Sequence, residues 1–415
     1  MNRQTTHQTG DQALVRQINL SLIMHTLWAE SPISRARLSQ KTKLNKTTVS
    51  DLVKELNEHG FVREIGTQSS GAGRPGTLLT LNPSVGYIVS CEIAVDYLEV
   101  LVTDFAPNVI WQIKEPTAIG ASQSEVLDRM LSLLREAVEK GKAASNKLLG
   151  IAVGVPGMVD QTSGTILFAP NLKWRNVPLL TLLEQESFGA PIFVDNEANM
   201  AALGEHFFGA GQEYSEILYL SGNIGLGGGF LSDGHLRRGA NGVAAEYGHM
   251  TMDPNGELCN CGNYGCWETM VSQVGLFKKI TDAIQNGERS LITEKVQGQW
   301  EHLSVELVVE AAQGGDQVAI RALEEIGHSL GIGIASLLNA LNPEVVVLGG
   351  ILSIASDFLF PVVNEEIQKR ALPWNRETVK IIRAAHGSDA AVKGGIATVY
   401  QSILSQATPE RSLEI

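Results

Sequence analysis

Three of the four cysteines fall inside one short stretch, ELCNCGNYGCWE, as Cys259, Cys261 and Cys266, and His249 precedes them in EYGHM. The spacing H-x9-C-x-C-x4-C brings three thiolates and one imidazole together, the donor set of a closed, tetrahedral, structural zinc site. Gly262 and Gly265 permit the tight loops that converging ligands need. The set therefore predicts a zinc ion on His249, Cys259, Cys261 and Cys266, fixing the loop that also carries Glu246 and Glu268. One ring nitrogen of His249 would hold the metal, leaving the other for a ligand or an outer partner. Disulfides are not expected from so few cysteines in a long chain, and Cys91, alone in an apolar run, reads as core.

A chain of 415 residues implies two or three domains. Hydrophobic residues at 44% and charged residues at 19% exclude a mainly disordered chain. The longest apolar run, near Val345 to Ala355, is interrupted by glycine and serine and is too short to span a bilayer. The opening MNRQTTHQTGDQ has no apolar stretch behind its charge, so the expectation is a soluble, cytoplasmic protein without a membrane partner. The net charge of -13 conceals a split: residues 1–80 hold 10 basic and 6 acidic residues, the remainder 22 and 39. A basic head on an acidic body predicts that only the head meets a polyanion.

The first eighty residues read as that head. Leu14, Ile18, Leu22 and Leu27 fall near helical spacing, and Ser31-Pro32 ends the helix. Ser34 can cap a second short helix, SRARLSQKTK, with Ala36 and Leu38 toward the core. After a turn at Leu44, Asn45 can cap a third helix whose Val49, Leu52, Val53 and Leu56 make one apolar stripe. Its opposite face offers Lys46, Thr47, Ser50 and Lys54. Two short helices joined by a tight turn form a helix-turn-helix, whose second helix would enter a major groove. FVREIG and TLLTLNP, joined by TQSSGAGRPG, then make a winged hairpin with Arg74 at a slim tip suited to a minor groove. The candidate DNA-contacting residues are Arg35, Asn45, Lys46, Thr47, Thr48, Ser50 and Arg74.

From about Gly86 strand-like and helix-like segments alternate, which predicts an α/β architecture with a site at strand ends. GNIGLGGGF, the spaced glycines after it, EYGHM and CNCGNYGCWE together resemble the signature of the ROK family, named for repressors, open reading frames and kinases, and the resemblance covers essentially the whole chain. It implies an N-terminal winged helix-turn-helix followed by a two-lobed, actin-like (ribonuclease-H-like) sugar-kinase fold. The expected divisions are residues 1–82 for the DNA-binding domain, 83–195 for the first lobe, rejoined by a C-terminal helix at 388–405, and 196–387 for the second lobe with its zinc loop. ISRARLSQKTKLNKTTVS, the VDNEAN segment and GHMTMDPNGELCNCGNYGCWE are most similar to the xylose-repressor branch. Carried over position by position, the resemblance implies sugar contacts from Asn196, Glu197, Glu246, His249 and Glu268, with Gly157 and Asn171 contributing from a turn and a loop.

The departures decide between the family's branches. Glu92-Ile93-Ala94-Val95-Asp96 stands where the kinases carry a D-x-G-G-T-like loop for phosphate and magnesium. The glycines that let a phosphate approach are gone, and Asp96 would repel it. The kinases' general base, an aspartate, is Glu197 here, one methylene longer. A sugar site kept, a phosphate site lost and a DNA reader added imply a non-enzymatic, sugar-responsive repressor released from operator DNA by sugar. D-xylose is the favoured effector and glucose the second, and the protein is expected to be a homodimer or a dimer of dimers. The alternatives are a ROK sugar kinase with an appended DNA-binding domain, and a glucose or amino-sugar regulator controlled by a protein partner.

Overall fold

Asn45 has an extended backbone and its side chain accepts a hydrogen bond from the Thr48 amide at 2.8 Å, which starts α3 (Lys46–Glu58). The buried stripe Val49, Leu52, Val53 and Leu56 then seats α3 against α1 (Gln12–Glu30) and α2 (Arg35–Thr42). This is a computed structural model describing residues 12–68, 76–118 and 121–406. A short β1 (Ile33–Ser34) pairs with β3 (Gly76–Leu81), and β3 pairs antiparallel with β2 (Val62–Gln68), forming a small sheet beside the helices. The tip of that hairpin, including Arg74, lies outside the described residues. Replacing Asn45 by alanine is expected to cost about 1 kcal/mol, the usual value of a helix cap, read as a lower urea midpoint for the head.

The helical spacing of Ile18, Leu22 and Leu27 lies within α1, where Ile18 and Leu22 are 56% and 40% exposed and the buried face is Leu20, Ile23, Met24 and Leu27. The helix has apolar residues on more than one side, and the side that finds partners in the body is the buried one. Ala36, expected toward the core with Leu38, is exposed, and Leu38 is buried as expected, with Ile33 beside the start of α2 buried too.

The body repeats one topology twice. Its first sheet runs through β4 (Tyr87–Ile93), β5 (Tyr97–Asp104) and β6 (Val109–Pro116), then, after α4 (Gln123–Lys142), adds β7 (Leu148–Val155). A three-stranded flap follows, made of β8 (Met158–Asp160), β9 (Thr165–Ala169) and β10 (Trp174–Val177), and α5 (Leu179–Glu184) leads back to β11 (Ile192–Asn196). The strand order is β11-β7-β4-β5-β6, with the hairpin strands antiparallel and β7 and β11 parallel to β4. Every residue of β4 is buried, as a central strand covered on both faces requires.

After α6 (Glu197–Phe208) the pattern recurs with β12 (Glu216–Gly222), β13 (Leu226–Ser232) and β14 (His235–Leu236). The chain then lays down α7 (Trp267–Val271), α8 (Gln273–Gln285), α9 (Leu291–Val296), α10 (Val305–Gln313) and α11 (Gln317–Leu341) before β15 (Val345–Gly350). Next come α12 (Ile351–Ile354), α13 (Ser356–Arg370), α14 (Pro373–Thr378), β16 (Lys380–Arg383) and α15 (Ala390–Gln406). The order β14-β13-β12-β15-β16 repeats that of the first sheet, strand for strand. This is the two-lobed actin-like arrangement. Among the described residues no helix is long and apolar enough to cross a membrane.

The last helix, α15, returns to the first sheet and packs along α6. The two backbones touch at Gly394, where any side chain would overlap the Met200 carbonyl. The head shares a core with these two helices. Trp28 of α1 stacks on Tyr400 of α15 with ring centroids 4.4 Å apart, and His25 on Phe207 of α6 at 4.0 Å. Burial, with His206 adding, holds His25 down at about 3, so it stays neutral in this contact. The helix whose first residue is Glu197 thus ends against the reading head.

Candidate functional site

The two sheets point their strand ends into one cleft of about 500 Å³. Asn196 closes β11 and caps α6, its Oδ1 accepting from the Ala198 and Asn199 amides at 2.8 and 3.1 Å. Its Nδ2 donates to the Gly157 carbonyl at 3.0 Å, so a single side chain sets both the helix start and the turn after β7. Glu197 follows at the head of α6. From the other lobe, Glu246 and His249 arrive on the short helical turn Tyr247–His249, and Glu268 arrives on α7. Asn171 comes from the loop between β9 and β10, and its Oδ1 accepts from Asn260 Nδ2 of the cysteine loop at 2.8 Å. Gly157, Asn171, Asn196, Glu197, Glu246, His249 and Glu268 all line the same cleft.

The cysteine loop is built as a small knuckle. The Cys259 amide donates to the Asn263 carbonyl at 2.8 Å and the Gly262 amide to the Cys259 carbonyl at 2.9 Å, while Thr251 and Cys266 form an isolated bridge. Cys266 is the residue before α7, and Trp267 beside it is fully buried with its indole donating to the Ser329 carbonyl at 2.9 Å. One donor atom from each of His249, Cys259, Cys261 and Cys266 lies within 4.8 Å of the others. The Cys261 and Cys266 sulfurs are 3.7 Å apart, and Cys259 Sγ is 3.7 Å from His249 Nδ1. A tetrahedron of sulfurs at the zinc–thiolate bond length has edges of about 3.8 Å, so these two separations match that ion. Burial pushes the Cys259 and Cys266 thiols up, and a cation among them is what would hold them as thiolates. His249 Nε2 is turned the other way, 4.0 Å from Glu246 Oε2.

The carboxyl groups around the cleft favour hydroxyl chemistry. Burial raises Glu246 to about 7, with Glu268 adding, and raises Glu197 well above the ordinary carboxyl range, with Glu92 and Glu246 adding. Groups poised this way accept and donate hydrogen bonds, as a polyol needs. Glu268 is fixed by the Leu226 amide, which donates to its Oε2 at 3.0 Å.

Three features escaped the sequence. Gly225, in the turn of GNIGLGGG, has no side chain because one would overlap Glu268 Oε2 and press on Asn171; that loop is a hairpin turn between β12 and β13 that admits the site residues. Arg238, from the loop after β14, makes a bidentate pair with Asp195 of β11 at 3.0 and 2.6 Å, and Gln161 adds a bond to the same carboxylate at 2.7 Å. This half-buried pair ties the loop leading to Glu246 onto the lobe that carries Asn196. Glu92, taken from sequence only as the loss of a phosphate loop, lines the cleft. No local pattern marks any of the three, because each partner comes from a distant segment.

In the head, Asn45 is spent on its cap, and Arg35 Nη2 donates to Glu64 Oε1 of β2 at 2.8 Å. Lys46, Thr47 and Ser50 stand exposed on the outer face of α3, with Thr48 half-buried.

Comparison with known proteins places these observations. Residues 89–402 match the model of the ROK family. The xylose repressor of Caldicellulosiruptor bescii is 36% identical over 398 residues, covering 95% of this chain and 98% of that protein. The crystal structure of a ROK family transcriptional regulator, a homologue of the E. coli MLC protein, superposes with a TM-score of 0.77 at 29% identity, covering 94% of this chain and 97% of the other. A ROK family glucokinase from Streptomyces griseus, in complex with glucose and AMPPNP, superposes with a TM-score of 0.66 at 28% identity, covering 76% of this chain and all of that one.

Proposed function

The chain belongs to the ROK family, and on that premise we propose that its cleft senses D-xylose, with glucose the second choice, and that sugar releases the head from operator DNA. The chain is a sugar-responsive transcriptional repressor and not a sugar kinase: its similarity to repressors runs through the head as well as the body. The observation that carries the mechanism is the course of α6. It starts in the cleft at Asn196 and Glu197 and ends at Phe207 against His25 and Trp28 of the head.

In the proposed cycle, Asn196, Glu197, Glu246, His249 and Glu268 grip the sugar hydroxyls, with Gly157 and Asn171 shaping the wall. Closure of one lobe on the other shifts α6 and, with it, α1. The exposed residues of α3, with Arg74 at the wing tip, meet the operator, and a homodimer presents two such helices to a pseudo-palindromic site. Sugar lowers operator affinity only by its preference for the closed state, and operator lowers sugar affinity by the same factor. His249, Cys259, Cys261 and Cys266 would hold a zinc ion, which would stiffen the loop that carries Glu246 and Glu268.

Titration calorimetry of the full chain with a panel of pentoses and hexoses, followed by operator binding with and without the best ligand, tests this reading. The expected result is a D-xylose isotherm and weaker operator binding in D-xylose. Tight binding of an amino sugar with none of xylose would move the regulon, and absence of any sugar isotherm would sink the sensor reading in favour of control by a protein partner.

A further inference from the structure

The cleft contains a carboxyl group to which the sugar contacts above give no task. Glu92 lies near the end of β4, opposite Gly154 of β7, and is only 4% exposed. Its Oε1 accepts a hydrogen bond from the Tyr97 hydroxyl at 3.0 Å. Its Oε2 is buried on the cleft wall and has no partner among the described residues. Glu197 lines the same cleft and lies against the residue opposite Glu92: a Cβ on Gly154 would touch it, 3.5 Å from its Cα, so the two glutamates flank one glycine. Glu197 Oε2 is also buried and without a partner among the described residues. Two such oxygens are costly to leave unpaired, and a ligand that bonds to both recovers that cost.

The chemistry around the pair selects the ligand. Burial, with Glu99 adding, pushes Glu92 up to about 8, and Glu197 is raised in the same sense with Glu92 among the causes. At neutral pH Glu92 therefore carries a proton, and the pair can both donate and accept. A hydroxyl has that same dual character. A phosphate offers only acceptors and brings negative charge toward carboxyl groups. The cation on this wall, Lys114, is already engaged: its Nζ is 2.9 Å from Glu99 Oε2 and lies over the Tyr97 ring at 3.7 Å. Asp96 also lines this side of the cleft.

We propose that Glu92 is a specificity residue of the cleft, forming with Glu197 a carboxyl pair that takes a hydroxyl of a neutral sugar and disfavours a sugar bearing a phosphate at that position. The assignment rests on the reading of the cleft as a sugar site. Glu92→Gln keeps the shape, but its amide can bond to Glu197 and consume the free acceptor. Glu92→Ala removes the group altogether. Tyr97→Phe frees Glu92 Oε1 without changing charge.

The test is calorimetry of the full chain and its variants with D-xylose, D-glucose and D-glucose 6-phosphate, with circular dichroism to check the fold. Wild type is expected to bind a neutral sugar and to reject the phosphate. Glu92→Gln is expected to weaken the neutral sugar by about 10-fold and to narrow the neutral-to-phosphate ratio by about the same factor, with Tyr97→Phe moving both less and in the same direction. Wild type that binds no sugar overturns the cleft reading and this assignment with it. Wild type that binds sugar while both Glu92 variants match it in affinity and ratio leaves the cleft reading standing and removes Glu92 from it. So does glucose 6-phosphate binding to wild type as tightly as glucose. Should the Glu92 variants not fold, an unchanged ratio in Tyr97→Phe is the overturning result.

Discussion

A Cys266→Ser chain is expected to lose its zinc and its sugar response together. Cys266 is fully buried, its sulfur 3.7 Å from that of Cys261, and it is the residue from which α7 starts with Glu268 in its first turn. Serine replaces a soft thiolate by a hydroxyl that stays protonated near neutral pH, so the donor set fails for zinc. In small zinc domains the bound ion contributes on the order of 10 kcal/mol, and that energy is folding energy for the loop that binds it. Disturbing groups merely behind the metal ligands costs about 10–100-fold, so removing a ligand is expected to exceed that in metal affinity. Glu246, Glu268 and His249 would then lose their common support, and sugar affinity is expected to fall by at least about 100-fold. Metal content by mass spectrometry and sugar binding by calorimetry check the pair of effects. Full zinc occupancy in the variant contradicts the ligand set; zinc loss with unchanged sugar affinity contradicts the supporting role of the loop.

Phe207→Ala is expected to separate sugar binding from DNA release. Phe207 is 2% exposed and holds the far end of α6 against His25 and Trp28. Truncating a buried phenylalanine costs about 3–5 kcal/mol, so the midpoint of unfolding drops. The cleft is at the opposite end of α6, capped by Asn196 and untouched, so sugar affinity is expected to hold. Coupling between two ligands is typically about 5–150-fold, and here the variant's operator affinity should become nearly independent of sugar. Phe207→Leu, which keeps most of the contact, should retain the response. Operator titrations with and without saturating sugar measure it. Undiminished release by Phe207→Ala would mean that the signal takes another route.

How far the chain could be read from its letters depended on whether the partners of a residue are near it in sequence. The four proposed metal donors lie within eighteen residues, and their spacing already implied the cluster that the fold assembles. The cap at Asn45 and the stripe from Val49 to Leu56 are local too, since a helix repeats within one or two turns. The resemblance of EYGHM and the cysteine loop to a family brought seven cleft residues into view that no local rule would have joined, and the fold sets them around one cavity.

What lay beyond the sequence depended on contact between distant segments. The spacing on α1 favoured Ile18 and Leu22, yet Ile23 and Met24 enter the core that head and body share, because burial follows the partner and not the pattern. Arg238 finds Asp195 across 43 positions, and Glu92 and Glu197 line one cleft only because β7 pairs with β4 on one side and β11 on the other. The sequence by itself determined which donors, caps and apolar stripes were available, since those are properties of residue type and short-range spacing. Only the tertiary structure decided which face of each helix was buried and which carboxyls came to line one cleft, since burial and charge proximity exist only once remote segments have packed.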